Sequence, residues 1–261
     1  VNQIVFTGSV PTGVAIATAA AKNVVPCVLE LGGKSAAIVH DDADLEAFEN
    51  DVRWGIYFNA GQVCSAMSRV IAHDGIHDEL VERMVGVAQS LTVKPGIDQP
   101  DFGPTMGAMV SEVQRDRAAE IVTAAQGEGA QVATGGRKMN IPGAFLEPTI
   151  VTGVTPDMTI ANEEVFGPVL SVLKFSSDTD AIKIANGTPY GLVGGVFTRN
   201  LDRATTAARK LRAGQVFVNE WYAGGVETPF GGYGKSGYGR EKGREALWNY
   251  VQTKNVAIKL G

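Results

Sequence analysis

Cysteine and histidine are scarce in this chain. Two cysteines, Cys27 and Cys64, and three histidines, His40, His73 and His77, exclude a disulfide scaffold and leave no metal-ligand spacing. No uninterrupted apolar run approaches the roughly 20 residues that span a bilayer, and no charged-then-apolar secretory pattern opens the sequence. Neither sign of charge dominates: Lys and Arg total 23 against 28 Asp and Glu, a formal net charge of −5 mixed along the whole length. That balance gives no electrostatic footprint for nucleic acid or an anionic membrane. The expectation is a cytoplasmic protein that binds neither nucleic acid nor membrane and holds no metal.

With 261 residues, 44% of them hydrophobic, the chain can bury a sizeable core in one or two domains. "VNQIVFTGS" begins inside an apolar run that reads as a buried strand. Gly8 and Gly13 bracket a turn, and the Ala-rich stretch Val14 to Lys22 has good helix propensity. "VVPCVLEL" and "SAAIVH" follow as strands. Leu45, Phe48, Val52 and Ile56 recur at helical spacing after Asp cap residues, predicting a helix to about Asn59.

The alternation continues downstream. "SRVIAHD" reads as strand, Ile76 to Ser90 as helix, Val93 to Met106 as a Pro/Gly-rich loop and Ser111 to Glu128 as helix. "GAQVATGG" and "FLEPTIVTGV" suggest short strands, the latter broken by Pro148. "VLSVLKF", "GLVGGVFTR" and "GQVFVNE" are strands separated by the helices "DTDAIKIANG" and "LDRATTAARKLR". Repeated β-α crossovers of this kind predict an α/β fold, a mostly parallel open sheet with helices on both faces. Active sites in such sheets sit at the carboxyl ends of strands, and the site is expected there.

Three constellations can carry chemistry. In "FTGSVPTG", Gly8, Ser9 and Gly13 join a strand to a helix, where backbone N–H groups can hold a pyrophosphate; this is not the G-x-G-x-x-G fingerprint, and taken alone such a junction is more often just a turn. In "FNAGQVCSAMSR", Cys64 follows a helix end. A lone cysteine is usually a small buried hydrophobe, as Cys27 reads within "VPCVLEL". Gly61, Gln62 and Ser65 are poor core company for Cys64, so a nucleophile in a partly exposed loop stands beside the packing reading. In "ANEEVFGPVLSV", Glu163 and Glu164 cannot both be buried cheaply; a ligand hydroxyl would compensate one of them, and Phe166 could stack on a flat ring. A fourth feature, Glu30 in "LELGGKSAAIV", is a carboxylate set where an apolar strand ends. Such a group is costly unless compensated, and its pKa tends to rise.

Taken jointly, "FTGS", "LELGGK", "NAGQVCSA", "EEVFGPV" and "PFGGYGKSGYGREKG" resemble the NAD(P)-dependent aldehyde dehydrogenase family, in its C-terminal half. The resemblance covers the whole chain. It implies that Cys64 attacks an aldehyde to form a thiohemiacetal, and that Glu30 is the general base for hydrolysis of the ensuing thioester. It also implies an NAD or NADP site touched by Gly8, Ser9, Leu31, Gly32, Gln114, Glu164 and Phe166, with Glu164 accepting from the nicotinamide ribose. Phe58, Val63, Ser65, Trp221, Tyr222 and Phe230 correspond to the walls of the aldehyde tunnel. Glu241 corresponds to a carboxylate linked to proton relay, although a helix-capping charge explains it as well.

On the same resemblance, residues 1–31 are the remainder of a dinucleotide-binding domain, residues 32–240 the catalytic domain, and residues 241–261 a C-terminal helix and oligomerisation strand. "NYVQTKNVAIKL" would cross to a second subunit, giving a homo-oligomer. Family members are about twice this length, and the oxyanion-hole Asn lies in the half not represented. The chain alone is therefore expected to be an excised piece, impaired or inactive by itself. Two other readings remain: an acylating relative that passes the acyl group to coenzyme A, against which Glu30 argues, and a non-catalytic interaction module.

Overall fold

The computed structural model describes residues 1–98 and 105–261. The chain opens with β1 (Ile4–Thr7), α1 (Val10–Ala21) and β2 (Cys27–Glu30). β1 and β2 run parallel, with Ile4 opposite Cys27 and Thr7 opposite Glu30. α1 begins four residues before the Ala-rich stretch that predicts it. Extended Ser9 precedes it and Pro11 lies in its first turn, where the fixed proline φ suits a helix and the missing N–H has no partner to lose.

From there the order is β3 (Ala36–Val39), α2 (Leu45–Tyr57), β4 (Arg69–His73), α3 (His77–Ser90), β5 (Thr92–Val93), β6 (Thr105–Met106) and α4 (Glu112–Gly127). Next come β7 (Gln131–Thr134), β8 (Thr149–Thr152), α5 (Thr159–Asn162), β9 (Val169–Phe175), α6 (Asp178–Ala185), β10 (Val193–Phe197), α7 (Leu201–Lys210), β11 (Gln215–Val218) and β12 (Gly237–Tyr238). The loop expected from Val93 to Met106 carries the paired two-residue strands β5 and β6 at its ends; its residues 99–104 lie outside the described residues. "FLEPTIVTGV" yields one strand, not two. Pro148 has no N–H to offer a ladder, so β8 starts after it, and Leu146 makes only an isolated bridge to Lys138.

The large sheet has the order β11-β10-β3-β4-β9-β8-β7. Every neighbouring pair is parallel except β7 with β8. Ala37, Ile38, Val39, Val70, Ile71 and Ala72 are inaccessible to solvent, as expected of strands covered on both faces. α2 packs on α3, and α6 on α7; right-handed crossovers running in opposite directions from β3 and β10 put the two pairs on opposite faces. Four helix starts are capped by side chains: Asp44 accepts from Ala47, Ser111 from Gln114, Ser177 from Asp180 and Asn200 from Asp202 and Arg203. Phe48 of α2 meets Phe197 of β10 edge-on at 4.6 Å, each fully buried ring contributing about 1.5–3 kcal/mol.

A second sheet, β1-β2-β12, is smaller. β12 lies antiparallel to β2, with Gly237 opposite Glu30. β2 runs into β3 through Leu31–Ser35 with no helix between them. The carboxyl end of one sheet is thereby set against the amino end of the other, and this corrects the expected position of the site. The segments holding Cys64, Glu164 and Lys34 precede β4, β9 and β3, at the amino edge of the large sheet, whereas Glu30 and Gly8 stand at the carboxyl ends of β2 and β1. At the C-terminus, residues Glu245–Tyr250 form a 3-10 turn. Residues 251–261 are exposed and carry no regular structure in the single chain.

Candidate active site

Residues 28–40 form one continuous buried stretch, and Glu30 ends β2 within it at 2% exposure. Neither carboxylate oxygen has a hydrogen-bond partner. Burial, aided by the nearby charge of Glu241 and opposed by Arg240, pushes its pKa from 4.5 up to about 8. Gly231, at φ +149°, leaves the space: a Cβ there would lie 2.7 Å from Glu30 Oε1. The backbone at Glu30 is fixed by its own carbonyl, which accepts from Gly8 N (3.0 Å), and next door Leu31 N donates to Ser236 O (3.0 Å).

The Cys64 loop is built by an unusual backbone. Asn59, Ala60 and Gly61 all take left-handed φ values, 51°, 53° and 71°, and Asn59 and Gln62 exchange side-chain hydrogen bonds with each other's carbonyls at 3.0 Å. Gly61 is required for close approach, since a Cβ would run into the Gly167 carbonyl. Gly33 does the same for the nucleophile loop, where a Cβ would sit 2.5 Å from the Cys64 carbonyl oxygen. The Cys64 thiol is half-buried. Burial, then the charges of Glu164 and Glu30, push it from 9.0 up to about 11, while the N–H groups of Ser65 and Cys64 favour the thiolate. One thiol and two carboxylates therefore share a single electrostatic environment.

Glu164 reaches this environment from the loop before β9. Its Oε1 accepts from Gly33 N at 3.0 Å, and a Cβ on Gly32 would overlap the carboxylate. Burial raises its pKa, opposed by the Gly33 N–H, Lys34 and Arg117. Phe166 stands half out of the surface with φ 51°.

The other expected site residues separate into groups. The Gln114 amide donates to Val165 O (3.1 Å) and Phe166 O (3.2 Å), so it ties down the loop that carries Glu164. Gly8 N–H is taken up by Glu30 O, and Ser9 Oγ pairs with Thr12 Oγ1 at 2.9 Å. Leu31 is buried, packed over Gly13 of α1. Val63 and Ser65 flank Cys64. Tyr222 lies beside Cys64 and Ser65, and burial pushes it up to about 12. Trp221 is buried, donates Nε1–H to Ser65 O at 3.2 Å and packs edge-on to Phe217. Phe58 is exposed and tilted against Trp54 at 6.3 Å. Phe230 and Glu241 form a two-bond backbone bridge, each bond 2.7 Å, that holds Glu241 near Glu30.

Ser236 escapes sequence reasoning although it lies inside "GKSGYG". Fully buried, its Oγ donates to Gly32 O (2.7 Å) and accepts from Gly191 N (3.0 Å), pinning the segment after Glu30 to the large sheet. Among the described residues no group of three or more His, Cys, Asp or Glu is placed to hold a metal ion, and no helix is long and apolar enough to cross a membrane.

The fold defines a class: a mostly parallel α/β protein in which Cys64, Glu30 and Glu164 come together at the junction of two sheets. The aldehyde dehydrogenase family model matches residues 1–256, and the chain belongs to that family. It is 45% identical over its whole length to an aldehyde dehydrogenase of Davidiella tassiana and 44% identical to one of Emericella nidulans, covering 52% of each. It superposes on an NAD-dependent aldehyde dehydrogenase from Sinorhizobium meliloti with a TM-score of 0.95 at 41% identity, covering all of this chain and 51% of that one. A betaine aldehyde dehydrogenase from Staphylococcus aureus, solved with NAD+, gives 0.93 at 38%, covering 97% of this chain and 52% of that one. The chain thus spans about half the length of the relatives it matches.

Proposed function

We propose that this chain carries the nucleophile and the general base of an NAD(P)-dependent oxidation of an aldehyde to a carboxylic acid. The observation that carries the reading is the shared environment of Cys64 and Glu30: a buried, unpartnered carboxylate whose charge is felt by the thiol. Cys64 Sγ attacks the aldehyde carbonyl, and the N–H groups of the Cys64 loop favour negative charge at the reacting centre. The residues present fit the nicotinamide half of a dinucleotide: Glu164 lies over a Gly32 cradle that a Cβ would fill, and Phe166 is held outward beside it. When bound, that group supplies the hydride acceptor that makes the Cys64 adduct a thioester. Glu30 then takes a proton from the attacking water. A carboxylate titrating near 8 is a far stronger base than an ordinary one and is still ionised in part near neutrality. The free carboxylic acid leaves, and the departing Cys64 thiolate takes the proton back from Glu30, which is ionised again for the next turnover.

Val63, Ser65 and Tyr222 surround the thiol and would receive the aldehyde, with Phe58 and Phe230 further out. The exposed alternation of Val256, Ile258 and Leu260 offers a strand edge to a second copy of the chain; a monomeric mass by light scattering at all concentrations would oppose this. The chemistry is tested by hydrolysis of an activated ester, which needs nucleophile and base but no dinucleotide. Turnover lost in both Cys64→Ser and Glu30→Gln supports the reading, and turnover surviving Cys64→Ser refutes it. Acyl transfer to added coenzyme A in place of acid release would assign the acylating reaction instead.

A further inference from the structure

Trp221 stands just past the end of β11, where the chain turns onto α2. Asn219 and Tyr222, on either side of it, take left-handed φ values of 55° and 65°, a conformation that a tyrosine adopts when its surroundings impose it. The surroundings here are specific. The Asn219 side chain accepts from Thr198 N (2.8 Å) and donates to Thr198 O (2.9 Å), while Trp221 N donates to Asp51 Oδ1 of α2 at 2.7 Å. Two glycines leave room for the indole: a Cβ on Gly195 of β10 would lie 2.7 Å from Cζ3, and one on Gly55 of α2 would lie 3.4 Å from Cδ1. Phe217 of β11 closes against the ring edge-on at 5.5 Å.

The indole held in this way has a single polar atom, and it is directed at the residue after the nucleophile. Nε1–H donates to Ser65 O at 3.2 Å, with both residues buried. Two positions on, Met67 N donates to Gly55 O at 2.8 Å. Upstream of Cys64, Gln62 is tied to Asn59 and accepts from Val110 N at 2.8 Å through its side-chain oxygen. Cys64 therefore lies between two anchored segments, and Trp221 is the anchor adjoining it on the downstream side. A buried carbonyl without a partner is costly, so losing the indole N–H gives the Ser65 carbonyl reason to turn away from its present direction.

We propose that Trp221 is a positioning residue for the nucleophile: by holding the Ser65 carbonyl it fixes the Cys64–Ser65 segment, and with it the setting of the sulfur. That this setting serves aldehyde oxidation rests on the proposed function; the restraint on the loop does not. The N–H groups of Ser65 and Cys64 favour the thiolate, and a loosened segment presents them less steadily. The charges that face the sulfur, those of Glu164 and Glu30, are untouched by a change at Trp221.

Trp221→Phe keeps an aromatic ring and removes the donor. Iodoacetamide labelling across neutral and alkaline pH is read at the Cys64 peptide by mass spectrometry, which separates it from Cys27, the other cysteine of the chain. Labelling at neutral pH is expected to slow about fivefold to tenfold, the size of one hydrogen bond, with the pH midpoint moved up. For activated-ester hydrolysis, kcat is expected to fall by a similar factor with KM unchanged. A tryptophan with a merely structural role would lower thermal stability and leave the labelling profile and kcat as they were, which overturns the proposal. Should Trp221→Phe fail to fold, benzothienylalanine placed at position 221 keeps the bicyclic shape and replaces only the N–H by sulfur, and an unchanged labelling profile in that protein overturns the proposal equally. A wild type that labels at Cys64 but hydrolyses no ester removes the proposed function, and the labelling comparison still decides whether Trp221 sets the sulfur.

Discussion

Replacing Glu30 by Gln should make the protein more stable relative to wild type, and increasingly so as pH rises. The carboxyl group titrates at 4.5 when exposed and at about 8 in the folded chain, because burial and then Glu241 disfavour its charge more than Arg240 favours it. The folded state thus holds this proton more tightly than the unfolded state. Its stabilising contribution is complete below about pH 4.5, declines by about 1.4 kcal/mol per pH unit, and is lost as pH climbs through about 8. Discounted for solvent screening, the separation amounts to about 2–5 kcal/mol, a sizeable part of the 5–15 kcal/mol that holds a typical domain together. The Gln amide, buried where the carboxylate has no partner, carries its own cost, but that cost does not vary with pH. Urea unfolding of both proteins from about pH 5 to about pH 9 separates the two effects, since only the pH-dependent part of the difference belongs to ionisation. A difference that stays flat, or that moves in favour of the wild type at high pH, would refute the assignment of a strained carboxylate.

Other perturbations test the rest of the site. Glu164→Gln removes the charge that most disfavours the Cys64 thiolate after burial, so iodoacetamide should alkylate Cys64 at least about threefold faster at fixed neutral pH, the effect of half a pKa unit; an unchanged or slower rate would oppose the coupling. Gly33→Ala drives a Cβ against the Cys64 carbonyl and should cost about 1–3 kcal/mol by overpacking, with ester turnover falling further than stability explains. Ser236→Ala strips the partner from the buried Gly191 N–H and Gly32 carbonyl and should cost about 1–3 kcal/mol, read as a shift in the urea midpoint without a change in slope.

Much of this was legible from residues close in sequence. The helical spacing of Leu45, Phe48, Val52 and Ile56 located α2, and "VLSVLKF" coincides with β9 residue for residue. Glu30 drew notice because a charged group at the end of an apolar strand calls for an explanation, and Cys64 because its neighbours are unsuited to a core. What stayed hidden depends on contacts between distant segments. Ser236 touches Gly32 across 204 positions, and no local pattern announces that pairing. β12 is two residues long and exists because β2 offers an edge. The position of the site at the amino edge of the large sheet follows from the direct joining of β2 to β3, a matter of connection rather than of strand propensity. Lys34 reads as an ordinary lysine after two glycines until its burial is seen.

The central claim is that Cys64 takes up an acyl group and Glu30 releases it. Intact-mass spectrometry after mixing with an activated ester tests this directly. Glu30→Gln should accumulate one acyl adduct, mapped to Cys64 by peptide digestion, while the wild type turns over with little adduct and Cys64→Ser shows none. An adduct that persists in Cys64→Ser, or a Glu30→Gln protein that sheds its acyl group as fast as the wild type, would contradict the account.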